Sequence, residues 1–298
     1  MRRTIEHILT IPLAVVLALV SLLPWRVLFW LSRGMAFLLY HVVGYRKKVV
    51  LQNLRHAFPT KTEAEIRAIC RDFFLHFSDT SFETIKLLSV SKKSICRHYA
   101  LSPAGLALVD GYYQRGESFI CLFGHFGNWE WSGPAFRHSL RSRSAFAYRP
   151  LKNKVFNWLM LRIRSRFAHA MMPLSKVARM LIGMQKQGTP LVIGLIADQS
   201  PNPRQAYWMN FMNQDTAVNN GPEKLARRKN LPVVYFSIRK ERRGFYRMEF
   251  EEIADQPAQL PEEEVTRRFM ALLERDIRSA PAHYLWSHRR WKHRRASD

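Results

Sequence analysis

Four short apolar runs, set between segments of helical character, limit most strongly what this chain can fold into. Phe119–Phe123, Ser144–Tyr148, Pro190–Ile196 and Pro232–Ile238 read as buried strands, too short for helices and bounded by turn residues. A fifth segment, Tyr246–Glu252, alternates apolar and polar residues as a half-exposed strand at a sheet edge does. Helical character falls over Leu101–Gln114, Lys152–Phe167, Ser175–Lys186, Asn220–Lys229 and Glu262–Arg278. Strands separated by helices in this way specify an α/β body, with a mostly parallel central sheet flanked by helices. The chain has 298 residues, 47% of them hydrophobic, enough for one large core.

The strand Phe119–Phe123 runs directly into Gly124-His125-Phe126-Gly127-Asn128-Trp129-Glu130-Trp131. Asn128 is placed as the N-cap of a helix to about Arg137, with Glu130 in its first turn. His125 then lies on the strand-to-helix crossing, between two glycines that let the backbone turn. On one continuous helix His125 and Glu130 would stand roughly 140° apart, so they pair only if Glu130 reaches back to the loop. Such a pair suits proton abstraction from a hydroxyl, the imidazole as base and the carboxylate fixing its tautomer. No Ser or Cys stands in the loop, so the nucleophile would belong to the substrate. A histidine bonded to a backbone carbonyl beside a solvated glutamate accounts for the same spacing.

The N-terminus opens with Met1-Arg2-Arg3, followed by an uncharged apolar run, Ile8–Leu23. That length is close to the lower limit of about 17 residues for a spanning helix. No small-residue cleavage site follows it. Pro24-Trp25-Arg26 leads instead into a second apolar segment, Val27–Val43, with Trp25, Trp30, Tyr40 and Tyr45 as interfacial residues. The expectation is a membrane-anchoring helix and an interfacial helix over 1–45, with the remaining body, 46–298, facing the cytoplasm.

The formal charge is +24. An anionic membrane surface, a phosphate-rich substrate or nucleic acid each suits that balance. The three cysteines, Cys70, Cys96 and Cys121, are scattered without CxxC spacing, which excludes a disulfide frame or a cysteine zinc site.

In an open α/β sheet, sites gather at the carboxyl ends of the strands. That rule puts His125, Arg149 and Asp198-Gln199 on one rim. Arg149, with Asn153 and Lys154 close in sequence, is suited to a phosphate or carboxylate, and equally to a plain surface. Gly221-Pro222-Glu223 opens a helix whose N-terminus suits an oxyanion; Glu223 there is either a substrate contact or a first-turn carboxylate on the helix dipole. Trp208, Phe211 and Met212 fit an acyl channel or the core. The tail Trp286–Arg295 mixes cations with aromatics, as a lipid interface or an RNA-stacking surface does.

Taken together, these residues resemble the lysophospholipid acyltransferase superfamily, and within it the lipid A biosynthesis branch of late lauroyl and myristoyl acyltransferases. The resemblance runs over nearly the whole chain. It is carried by the N-terminal apolar segment, Asn53-Leu54-Arg55-His56-Ala57-Phe58-Pro59, the His-x4-Glu loop, Tyr148-Arg149-Pro150, Asp198-Gln199 and Trp286-Ser287-His288-Arg289-Arg290. It implies a glycerolipid acyltransferase-like fold. It also implies His125 as general base with Glu130 orienting it, and Arg149 as a phosphate contact; Asn153, Asp198, Gln199 and Glu223 complete the expected substrate contacts. The implied donor is an acyl carrier protein or acyl-CoA, and the implied acceptor a phosphorylated lipid at the bacterial inner membrane. No metal or other cofactor is implied.

Two departures bear on the acceptor. Glycerolipid members usually carry Asp at the acid position and a downstream Pro-Glu-Gly block, where this chain has Glu130 and Gly221-Pro222-Glu223. The loop interior Phe126-Gly127-Asn128-Trp129 looks closer to a wider group of glycolipid acylators, including mannoside acyltransferases. Another acceptor lipid, a lyso-aminolipid, phospholipid or glycolipid, is therefore the first alternative. A membrane-tethered nucleic-acid-binding protein is the non-enzymatic one; no RRM, KH or helix-turn-helix signature supports it.

Overall fold

A computed structural model describes residues 2–151, 153–177, 179, 188 and 190–295. Its centre is a seven-stranded sheet in the order β1-β9-β8-β2-β5-β3-β4. The strands are β1 (Tyr99–Leu101), β2 (Phe119–Phe123), β3 (Arg143–Tyr148), β4 (Ala170–Pro173), β5 (Leu191–Ile196), β8 (Val233–Arg242) and β9 (Phe245–Ala254). Every neighbouring pair is parallel except β8 and β9, which form a hairpin. The expected mostly parallel sheet is thus present. The five residues of β2 are buried throughout, Ile120 and Leu122 in one core and Phe119, Cys121 and Phe123 in the other. Burial on both faces is why this central strand reads as an unbroken apolar run.

The alternating segment expected at an edge is β9, one strand in from it, because the short β1 pairs along its outer side. Strands β1 and β4 escape sequence reading, being three and four residues long. So does a separate hairpin of β6 (Tyr207–Phe211) and β7 (Gln214–Val218). Its two-residue turn holds Met212 and Asn213 at positive φ, the geometry that fits strand twist. Phe211 and Met212 are wholly buried in the core, which takes them out of any open acyl channel.

The helices are α1 (Arg2–Leu22), α2 (Trp25–Phe37), α3 (Lys47–Ala57), α4 (Glu63–Lys86), α5 (Lys92–Ile95), α6 (Pro103–Gln114), α7 (Ser132–Ser139), α8 (Lys154–Ser165), α9 (Gly221–Lys229) and α10 (Glu264–Ser279). The start of α4 is a complete capping box between Thr62 and Glu65, and Ser102 caps α6 ahead of Pro103. Of the helix expected over Ser175–Lys186, most lies outside the described residues.

At the N-terminus Pro24 separates α1 from α2. Among the described residues no single helix is long and apolar enough to cross a membrane; Trp25–Val42 and Lys47–Ala57 reach that measure only together, bent by 87°. The expected anchor is therefore not present as a single spanning helix. Polar contacts fasten these helices to the body. Ser32 Oγ donates to Asp79 Oδ1 at 2.6 Å, Arg243 Nη2 donates to the Phe29 carbonyl at 2.7 Å, and Lys86 Nζ donates to the Ser21 and Leu23 carbonyls.

Candidate active site

Parallel pairing of β2 with β5 aligns Phe123 with Ile196, so the two chains leave the sheet side by side. His125 comes two residues after β2 and Asp198 two residues after β5. The backbone N–H of His125 donates to Asp198 Oδ2 at 3.0 Å, and His125 Nδ1 lies 2.7 Å from Asp198 Oδ1. The two side chains are 12% and 2% exposed. Burial raises the cost of the Asp198 charge, but the charge of His125, its two hydrogen bonds and the Arg290 charge outweigh that. The carboxyl is held down at about 2. Ionised Asp198 only accepts, so Nδ1 carries the imidazole proton and Nε2 presents its lone pair. Gln199 Nε2 is 3.2 Å from that atom, and the Trp129 ring stands edge-on to the imidazole at 5.0 Å.

The loop shape around His125 is forced locally. Gly127 has φ +61°, and a Cβ there would lie 1.9 Å from the Ile238 carbonyl oxygen, so no other residue fits. The Gly127 N–H donates to the His283 carbonyl, the Leu285 N–H to the His125 carbonyl, and His76 Nε2 to the Gly127 carbonyl at 3.1 Å. After Gly127 the chain makes a 3-10 turn, Trp129–Trp131, before α7. Asn128 does not cap it. Its amide donates instead to Glu83 Oε2 on α4 at 2.5 Å.

The carboxylate against His125 is thus Asp198, whereas spacing in sequence pointed to Glu130. Both Glu130 oxygens are taken up by Arg164 on α8, Nε to Oε2 at 2.9 Å and Nη2 to Oε1 at 2.5 Å, with the Trp129 indole N–H donating at 3.1 Å. Against burial, the Arg164 charge and bonds, the indole and the His125 charge hold the Glu130 carboxyl below its ordinary range. Glu130 therefore meets His125 through space and through Trp129 rather than by a direct bond.

The remaining expected residues divide. Gln199 reaches the imidazole. Arg149 is exposed at the carboxyl end of β3, the strand beside β5, and so stands on the same rim. Asn153 caps α8, its Oδ1 accepting from the Phe156 N–H at 3.1 Å, which occupies the oxygen expected for substrate. Glu223 is 3% exposed and accepts from the Thr266 N–H and hydroxyl at 2.9 and 2.5 Å, tying α9 to the start of α10. It answers the unpaired N–H groups of a helix start, inside the protein.

Part of the basic aromatic tail is scaffold, while its Arg289, Lys292, Arg294 and Arg295 are exposed. Trp286 is wholly buried, and Arg290, 2% exposed, donates from Nη1 to the Ala217 carbonyl at 2.6 Å. Asn53 Nδ2 donates to the Trp286 and His288 carbonyls. These indole and guanidinium faces are turned inward and offer nothing for RNA bases to stack on. Arg290 and Tyr284 stand behind Asp198, where the cation offsets the buried carboxylate. Neither Arg164 nor Arg290 carries a local signal in the sequence; each is defined by what folding brings to it.

Among the described residues no group of three or more His, Cys, Asp or Glu side chains is placed to hold a metal ion. A cleft of about 430 Å³ lined by Ser118, Leu231, Pro232 and Asp255 lies at the opposite, amino ends of the strands, away from His125.

Comparison with known proteins gives the chain a family. Residues 2–293 match the model of a family described as bacterial lipid A biosynthesis acyltransferase. The chain is also 25% identical over 283 residues to the lipid A biosynthesis lauroyltransferase of Escherichia coli K12, covering 94% of this chain and 90% of that protein.

Proposed function

The chain belongs to the bacterial lipid A biosynthesis acyltransferases and is an acyltransferase, and on that premise we propose that it moves a fatty acyl group from a thioester donor to a hydroxyl of a lipid A precursor, with His125 as general base. The observation that carries this reading is the Asp198–His125 pair: with Asp198 accepting from Nδ1, the neutral imidazole has its Nε2 lone pair available at the carboxyl rim of the sheet.

His125 Nε2 takes the proton of the acceptor hydroxyl as its oxygen attacks the thioester carbonyl. The resulting tetrahedral oxyanion collapses with cleavage of the C–S bond, and the imidazolium returns its proton to the departing thiolate. Asp198 supports the imidazolium and fixes its tautomer. Glu130 holds Arg164 at the rim, where its cation offsets charge developing beside His125. Arg149 is assigned to the phosphorylated acceptor. The net charge of +24 suits that acceptor as well as an acidic donor, acyl carrier protein or acyl-CoA.

Membrane association belongs to the same proposal. Leu19, Leu22, Trp30 and Phe37 on the first two helices are exposed, as are Val42 just after them and Phe156 and Trp158 on α8, which packs near α1. Apolar surface on this scale beside Arg26 and Arg33 suits the headgroup boundary of a bilayer. We place the protein at the bacterial inner membrane, with residues 1–45 engaging the lipid and the body of 46–298 on the cytoplasmic side.

The test is lipid A mass spectrometry on cells lacking the gene, complemented by wild type or His125→Ala. One acyl chain is expected to vanish and to return with wild type alone. Its return with His125→Ala would overturn the mechanism. Unchanged lipid A with an acyl ester missing from another lipid would move the acceptor.

A further inference from the structure

Behind the His125 loop lies a polar cluster with no part in the mechanism above. Glu83 is 1% exposed and Asn128 is wholly buried. Glu83 Oε2 accepts from Asn128 Nδ2 at 2.5 Å and from the Tyr246 hydroxyl at 2.6 Å. Glu83 Oε1 and Asn128 Oδ1 are both buried and both lack a partner. The two unpartnered atoms thus belong to the two side chains of one hydrogen bond, and as written both are acceptors. A proton on Oε1 removes both vacancies at once. The acid O–H then donates to Asn128 Oδ1 while Asn128 Nδ2 donates to Oε2, closing a cyclic acid–amide pair.

We infer that Glu83 is a neutral carboxylic acid paired through both oxygens with the Asn128 amide, and that this pair is the positioning element for the loop from His125 to Glu130. The inference about the loop rests on the acyl-transfer reading; the protonation state of the pair does not.

The charges around Glu83 favour the neutral form. On its own helix Asp79 is a buried carboxylate four residues away. The nearby cations of the β8–β9 hairpin, Lys240 and Arg243, bind Asp79, at 3.1 and 2.7 Å. From β9 comes the Tyr246 hydroxyl. The rings of His76 on α4 and His283 in the C-terminal turn meet at 4.5 Å with a 41° tilt, and burial lowers the proton affinity of both. Burial, with Asp79 adding to it, pushes the Glu83 carboxyl up to about 7 despite Tyr246, Lys240 and Asn128. Asn128 sits between Gly127, wedged against Ile238, and the Trp129–Trp131 turn that presents Glu130. Fixing its side chain fixes how the chain turns from the base to the acid. An ordinary helix cap at this position would leave His76, through the Gly127 carbonyl, as the remaining tie between the loop and α4.

The experiment compares full-length wild type, Glu83→Gln, Glu83→Ala and Asn128→Asp, purified in detergent. A glutamine reproduces the neutral acid, since its amide N–H donates where the acid O–H did. Glu83→Ala is expected to lower kcat about tenfold or more at little-changed KM. Glu83→Gln is expected to restore most of that loss, and Asn128→Asp, which sets a carboxylate against the pair, to behave like Glu83→Ala. Infrared difference spectra at pH 6 supply a readout independent of turnover: a protonated-carboxyl band in wild type, absent from Glu83→Gln. Loss in Glu83→Gln equal to that in Glu83→Ala, or no such band, would overturn the proposal. Should no acyl transfer be found even in wild type, the functional reading fails while the infrared band still decides the pair. If Glu83→Ala does not fold, the contrast between Glu83→Gln and Asn128→Asp carries the decision.

Discussion

The loops after β2 and β5 leave adjacent parallel strands, and each carries one buried, ionised acid. The acid after β5, Asp198, bonds His125 twice; the acid after β2, Glu130, lies on the histidine's own loop and bonds Arg164 twice. Closeness in sequence therefore favours the wrong partner. A loop with a 3-10 turn carries Glu130, five positions on, to the far side of Trp129, while Asp198, 73 positions on, returns to within 2.7 Å. The division gives the site two electrostatic jobs, a tautomer lock on the base and an anchor for a cation, in two carboxylates of like burial.

The predictions separate those jobs. His125→Ala removes the base itself and is expected to lower acyl transfer about 10⁴-fold, with an unchanged far-UV spectrum; turnover near wild type would dissolve the comparison altogether. Asp198→Asn keeps the shape but permits the wrong tautomer, and a loss of about 10³-fold in kcat is expected. If Glu130→Gln costs more kcat than Asp198→Asn, the two acids have been assigned the wrong way round. Glu130→Ala strands a partly exposed cation, so each of Glu130→Ala and Arg164→Ala should cost about 2 kcal/mol in denaturant unfolding, with the double variant costing less than their sum. Additive losses would show that the pair is not coupled.

Acid gives a finer cut. The folded Asp198 carboxyl sits at about 2, below its ordinary value of 3.8, so its contribution is full above about pH 4. It disappears as the pH falls toward 2, and amounts to about 2 kcal/mol. Thermal melts of wild type and Asp198→Asn should therefore converge across that window; a constant gap would mean that Asp198 is not specially stabilised as an anion. The smallest effect belongs to the exposed rim. Arg149→Ala is expected to raise KM for the lipid acceptor about fivefold with kcat held, and a fall in kcat alone would move Arg149 from binding to chemistry.

Much of the frame is legible along the chain. β2, β5 and β8 are apolar because both faces of a central parallel strand are buried, and the caps Thr62 and Ser102 act on residues three positions away. His125 stands out for a local reason, following a buried strand and lying between glycines; that Gly127 has no room for a side chain comes from Ile238, which folding brings against it. Asn153 and Asn128 show the limit. Both have cap chemistry, but only Asn153 caps, since Asn128 lies against Glu83 on a helix 45 residues earlier. Glu223 was legible as a first-turn acid, and burial against Thr266 settled that it serves the fold.

The sequence by itself determined the longer strands of the central sheet, most of the helices between them and the histidine presented at a strand end, because those depend on burial pattern and on contacts within a few residues. Which acid locks the histidine, which cation Glu130 holds and why Arg290 is buried were decided only by the tertiary structure. Sheet order and register bring those charges together, and at a separation of a few ångströms in a buried site a charge pair outweighs any preference written in its neighbours.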